Sequence, residues 1–156
     1  MPLTRLKGNA LGLGLIVAAA LFAADQVTKI LALSVLEPYS PVALLPFFNL
    51  TLAFNPGAAF SFLAGADGWR RWFLSAVALA VSGYLVFWLR GLPAGDRLQA
   101  IGLGLILGGA VGNLIDRLRL GEVIDFLDVH YAGWHWPAFN LADSGITVGG
   151  ALVLLC

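Results

Sequence analysis

The sequence predicts an all-α integral membrane protein: four transmembrane helices, a small β-like segment outside the lipid and one further outer loop. Of its 156 residues, 60% are hydrophobic and 12% charged, about half the roughly 25% charge of a soluble domain. Four apolar stretches approach the roughly 20 residues that a helix needs to cross about 30 Å of hydrocarbon. The chain also holds 19 glycines, as suits helices that approach one another closely in lipid through small side chains.

The first span is expected over residues 10–33, where an apolar run follows Arg5 and Lys7 and continues past Asp25 and Lys29. With Ala18 and Ala20 this start also resembles a secretory signal. The run is longer than the signal's core of roughly 7 to 15 residues and three more runs follow it, so an uncleaved span is expected. Residues 37–69 hold Pro38, Pro41, Pro46 and Pro56, a density that excludes helix and places the segment outside the lipid. Within it Phe48, Leu50, Leu52 and Phe54 alternate with Asn49, Thr51 and Ala53, the period of an amphipathic strand or hairpin at the membrane surface. Spans over 70–90 and 97–118 follow, joined by a turn with Gly91, Pro93 and Gly95 as breakers. An outer segment, 119–136, rich in Asp, His and Trp, leads into a fourth span over 137–156 that passes Asp143. The chain reads as one membrane-embedded domain, 1–156, without internal repeats.

At about 1.5 Å per residue, Asp25 lies about 21 Å and Lys29 about 27 Å along the first span from Leu11, and Asp116 about 27 Å along the third from Leu98. Asp143 comes early in a fourth span that runs the other way, so all four polar residues are expected at one membrane face. Eight of the nine acids fall on that side and only Asp96 opposite. Arg5 and Lys7, preceding the first span, favour a cytoplasmic N-terminus. Nine Lys and Arg balance nine Asp and Glu, leaving no basic patch for nucleic acid. The single cysteine, Cys156, offers neither a disulfide framework nor a cysteine metal cluster.

Asp25 and Lys29, at i and i+4, share a helix face and suit either a structural ion pair or a functional one. Asn113, Asp116 and Arg117 also share a face, and an Asp beside an Arg reads first as a scaffold salt bridge. Asn55-Pro56-Gly57 has the composition of a plain surface turn. Asp125 and Asp143 differ from these, because both lie in apolar runs with no basic residue within four positions. An unpaired carboxylate in such a place is costly. If the 119–136 loop brings the two together, low dielectric and like charge make them share one proton, as in an aspartic-protease dyad. Asn140, one turn before Asp143, is placed to hold it. Acids lining an ion or proton path in a small transporter are the competing reading, weakened by their clustering at one face. Two histidines, His130 and His135, with Asp128 match no zinc spacing, so no metal is expected. Ser144 lacks a triad.

Five blocks carry a resemblance: Asp25-Gln26-Val27-Thr28-Lys29, Asn55-Pro56-Gly57-Ala58-Ala59-Phe60, Gly108 through Arg117, Val123-Ile124-Asp125-Phe126, and Phe139-Asn140-Leu141-Ala142-Asp143. In order and spacing they resemble the bacterial lipoprotein signal peptidase family, signal peptidase II. The resemblance implies a cofactor-free aspartic endopeptidase of the bacterial inner membrane, with both termini cytoplasmic and a periplasmic loop carrying part of a periplasmic-face site. Implied partners are membrane lipids, a globomycin-type inhibitor, and prolipoproteins bearing diacylglycerol on the cysteine before which they are cut. A monomer is expected. By motif position Asp125 and Asp143 look like the catalytic dyad. Asn55, Gly57, Asn113, Asp116, Arg117 and Asn140 match the surrounding site, and Asp25 and Lys29 match the first-helix motif. Two positions depart from the family pattern, Ser61 where Gly is frequent and Gly145 where Ala is. The apolar segment 44–62 is expected to cover the substrate. Arg70 and Arg71 fall on the periplasmic side against the usual charge bias, where lipid headgroups are the expected contact.

Overall fold

A computed structural model describes residues 3–57 and 68–156, and the side chains from residue 10 onward within them. The elements run α1 (Leu3–Val35), β1 (Val42–Leu45), β2 (Phe48–Asn55), α2 (Trp69–Gly91), α3 (Arg97–Leu120), β3 (Val123–Tyr131), β4 (Trp134–His135) and α4 (Leu141–Leu154). Three helical stretches, Ala10–Val35, Trp69–Gly91 and Arg97–Leu120, are long and apolar enough to cross a membrane. Their outward faces carry Ile16, Val27, Ile30, Leu79 and Phe87, each more than half exposed. Such a surface belongs against lipid.

The helices α1, α2 and α3 cover the first three apolar runs. The fourth is corrected at its start: residues 137–140 are not helical, and Phe139 instead exchanges backbone hydrogen bonds with Leu127 (N to O 3.0 Å, O from N 2.9 Å). The helix begins only after Asn140, which caps it, leaving an α4 of 14 residues, about 21 Å long.

The expected β-like segment is present and is larger than expected. The alternating segment does form β2, but residues 119–136 are not a mere loop. They supply β3, which pairs antiparallel with β2, and the four strands make one sheet in the order β1-β2-β3-β4. Ile124 and Phe126 of β3 bury themselves with Leu52 of β2 against Ala32 near the end of α1. Because strand side chains alternate in direction, Asp125 points to the opposite face.

A second apolar core joins α1, α2 and α3 through Ala10, Ala18, Leu85, Leu89, Ala100, Leu103 and Leu107. Close contact around α3 depends on missing side chains: a Cβ on Gly112 would stand 2.5 Å from Oδ2 of Asp25. Gly145, the departure from the family pattern, sits where a Cβ would collide with Leu21 of α1. Arg71 has a structural partner, donating from Nη2 to the Leu118 carbonyl in the last turn of α3 while its guanidinium lies 4.8 Å from the Trp72 ring centroid.

Candidate active site

The polar residues of α1, α3, β3 and α4 meet in one buried network, as their depths along the chain require. Lys29 is its centre. Its three ammonium donors meet Oδ2 of Asp25 at 2.8 Å, Oδ2 of Asp116 at 2.8 Å and Oδ1 of Asn113 at 3.1 Å. The three side chains that carry charge are nearly sealed, with Asp25 0%, Lys29 1% and Asp116 3% exposed. A buried charge is tolerated only when paired and hydrogen-bonded, and here each partner has a second task. Asp25 Oδ1 accepts from the backbone N–H of Ala142 (2.9 Å), holding the first turn of α4 to α1. Asp116 Oδ2 accepts from the N–H of Ile124 (3.1 Å), fixing the start of β3 to the end of α3.

Asp116 is therefore a scaffold residue with a different partner from the one its neighbour suggests. Its ion-pair partner is Lys29, and no salt bridge joins it to Arg117 among the described residues. Arg117 lies close enough to feel the charges of Asp143, Asp116 and Asp125, and its Nε is buried without a hydrogen-bond partner among the described residues. Sequence reasoning also passed over Gln26 as a contact, although it lies in the first motif block. Its Nε2 reaches Asp25 Oδ2, Asp116 Oδ1 and the Gly112 carbonyl, each at 3.2 Å. The available signal was an amide standing between two charges in an apolar helix.

Asn113 and Asn140 carry this scaffold to Asp125 and Asp143. Asn113 accepts from Lys29 and donates from Nδ2 to Asp143 Oδ1 at 2.9 Å. Fully buried, Asn140 donates from Nδ2 to Asp125 Oδ1 (3.0 Å), the Ile124 carbonyl (3.0 Å) and Asn113 Oδ1 (3.2 Å). Its Oδ1 accepts from the Asp143 N–H at 2.9 Å, while its own N–H donates to Asp143 Oδ2 at 3.3 Å. This reciprocal capping box makes the geometry of the α4 N-terminus also the geometry of the Asp143 carboxylate.

The Asn55 turn is not a plain surface turn. Asn55 Nδ2 donates to Asp125 Oδ2 at 3.3 Å, and its Oδ1 accepts from the Gly57 N–H at 2.8 Å. Gly57 has φ +104°, a backbone conformation that favours glycine, and a Cβ there would also press on the end of the Leu74 side chain. Ala58, Ala59, Phe60, Ser61 and the 58–62 part of the expected cover lie outside the described residues.

Asp125 is 3% exposed. Burial first, then the negative charge of Asp143, push its carboxyl up to about 7, against the pull of hydrogen bonds from Asn55 and Asn140 and the charge of Lys29. Near neutral pH this arrangement holds a proton that ordinary carboxyls have lost.

His130 and His135 stand apart from this network, stacked with ring centroids 4.9 Å apart. His135 Nδ1 lies 2.8 Å from Asp128 Oδ1, and Asn49 Nδ2 donates to Asp128 Oδ2 at 3.1 Å. Burial pushes the Asp128 carboxyl up, but those hydrogen bonds and the nearby imidazoles outweigh it and hold it below the usual range.

Fold and site together describe a membrane-embedded enzyme, and solved structures agree. The chain superposes with a TM-score of 0.82 and 30% identity on a bacterial membrane enzyme solved by the in meso method at 1.9 Å, covering 92% of this chain and 91% of that one. A family model described as signal peptidase (SPase) II matches residues 17–156. A lipoprotein signal peptidase of Burkholderia mallei (strain SAVP1) is 50% identical over 154 residues, 97% of this chain and 91% of that protein. One of Polynucleobacter necessarius subsp. necessarius (strain STIR1) is 54% identical over 130 residues, 83% and 79% respectively. The chain belongs to the signal peptidase II family.

Proposed function

We propose that this protein is an aspartic endopeptidase that removes the signal peptide from diacylglyceryl-modified prolipoproteins, cutting before the lipidated cysteine, with Asp125 and Asp143 as its dyad. One observation carries the assignment of residues: two carboxylates from different elements, β3 and α4, are held through the same Asn140 amide and capping box. Family membership supports the reaction and weighs against the transporter reading, as does a polar network gathered where the later part of α1, the end of α3, β3 and the start of α4 meet.

In this reading the dyad shares one proton near neutral pH. The ionised carboxylate takes a proton from a bound water as its oxygen attacks the peptide carbonyl carbon. The protonated carboxyl donates to the carbonyl oxygen as it gains negative charge. Collapse of the gem-diol breaks the C–N bond, and a dyad proton goes to the leaving amine. Arg117 and Asn55 supply donors around the reacting carbonyl and carboxylate, while Asp25, Lys29, Asn113 and Asp116 hold the frame. A dyad of this kind requires no metal.

The whole chain, 1–156, acts as one domain in the bacterial inner membrane, as a monomer with four spans and both termini cytoplasmic. A short α4 is accommodated by local thinning of the bilayer. The site then lies at the periplasmic face, where a substrate can be cut without lifting its acyl chains from lipid, at roughly 0.8 kcal/mol for each methylene kept buried. A globomycin-type inhibitor would occupy the same place. Incubating purified protein with a diacylated prolipoprotein and sizing the products tests this reading: release of the intact signal peptide is expected, and no cleavage by folded protein overturns it.

A further inference from the structure

A patch of positive charge forms where the start of α2 meets the end of α3. Arg71 reaches across to the Leu118 carbonyl and lies over the Trp72 ring, Arg70 precedes it in the first turn of α2, and Arg119 follows Leu118 and is exposed. The salt bridges among the described residues have only Lys29 and His135 as their basic members, so none of them neutralises this patch. We propose that Arg70 and Arg71 bind the phosphate of an anionic phospholipid, in the leaflet on the side of the polar network. The site stands apart from the dyad, and its test does not require cleavage.

One guanidinium is already set in place. Arg71 spends one of its five donors on the last turn of α3 and rests on Trp72, so its planar fork is ordered for a phosphate before any lipid arrives. The Arg70 stem packs against Gly57, where an added Cβ would stand 3.2 Å from its Cδ. Both arginines are half-buried, and the Nε atom of each is buried without a hydrogen-bond partner among the described residues. Depth makes the ligand a lipid. Trp69, Trp72 and Phe73 flank the pair and are exposed, the aromatic signature of a membrane–water boundary. On the face of Arg70, Phe73, Val77 and Val81 follow at i+3, i+7 and i+11 and are also exposed, the last two about 10 and 16 Å further along the helix. A phosphate on the arginines would lay its acyl chains down this stripe, which continues the lipid-facing surface of α2. Charge makes the lipid anionic. Glu122, beside the Gly121 that adjoins the Arg71 stem, offsets one of the three positive charges and leaves the patch net positive, so a headgroup that brings its own cation is disfavoured.

The test uses phosphatidylglycerol with a photoreactive group midway along one acyl chain, diluted into phosphatidylcholine vesicles that hold the purified protein, and maps the labelled residues by mass spectrometry. Saturable labelling is expected on α2 between Phe73 and Val81. The mole fraction of probe that half-saturates it should rise about fivefold in Arg70→Gln and about 25-fold in Arg70→Gln/Arg71→Gln, the loss expected for one and two arginines at a lipid surface. Because Arg71→Gln also cuts the tie to Leu118, Arg70→Gln alone separates lipid contact from folding. Arg90→Gln, at the far end of α2, should leave this labelling unchanged. Unlabelled phosphatidylglycerol replacing host lipid should displace the probe, whereas inorganic phosphate at constant ionic strength should not. Labelling that never saturates, equal labelling by a phosphatidylcholine probe, or no change in folded Arg70→Gln overturns the proposal, because α2 then meets only bulk lipid. Displacement by inorganic phosphate overturns the lipid assignment and makes the patch a site for soluble anions.

Discussion

At the scale of single residues, Asp125 makes the sharpest claim. Its carboxyl is raised from the ordinary 3.8 to about 7, so the stability contributed by its bound proton is fully present below about 3.8 and is lost as pH rises through about 7. Activity that needs a once-protonated dyad should fall on the same alkaline limb. Asn55 opposes this shift by donating to the carboxylate. Asn55→Ala should therefore raise the pKa further and move the limb of a kcat/KM profile to higher pH, while lowering the rate; movement to lower pH would show that Asn55 acts elsewhere. Asp116→Asn removes one of the two carboxylates on Lys29 but leaves Asp25 in place. The expected outcome is a loss of about 1–3 kcal/mol in stability with residual turnover, read by thermal unfolding and cleavage assays. Complete loss of turnover in a folded variant would move Asp116 into the chemistry.

Among the elements, Asn140 has two tasks that one substitution can separate. Serine keeps the helix cap but removes the amide that reaches Asp125, Asn113 and Ile124. Asn140→Ser should unfold within about 1 kcal/mol of wild type yet lose on the order of 100-fold in turnover through misplacement of the dyad. Equal loss of stability and activity would make Asn140 a cap alone. Much at this scale was legible in the sequence. Apolar runs gave α1, α2 and α3, period-two alternation gave β2, and residue depth brought Asp25, Lys29, Asp116 and Asp143 to one end. What escaped depends on distant pairing. Nothing local says that Ala53 will face Asp125 across β2 and β3, so 119–136 reads as a loop. Adjacency in the chain suggests Arg117 as the partner of Asp116, but adjacent helical residues diverge and Lys29 approaches from α1.

For the molecule as a whole, orientation can be tested apart from chemistry. Single cysteines placed between Pro93 and Asp96 should react with impermeant thiol reagents only from the cytoplasmic side, and those between Tyr131 and Gly133 only from outside. Labelling of both from one side would rule out the four-span arrangement. Cleavage should also survive chelators and His130→Ala, and a chelated enzyme restored by zinc would place a metal in the mechanism. The most direct measurement compares Asp125→Asn, Asp143→Asn and the double variant with wild type, on diacylated prolipoprotein at matched folded protein. An amide keeps the shape and cannot exchange the proton that activates water. Each single variant should therefore abolish cleavage while remaining folded, and the double variant should be little worse than either, because the pair acts as a unit. Robust cleavage by folded Asp125→Asn or Asp143→Asn would contradict the dyad.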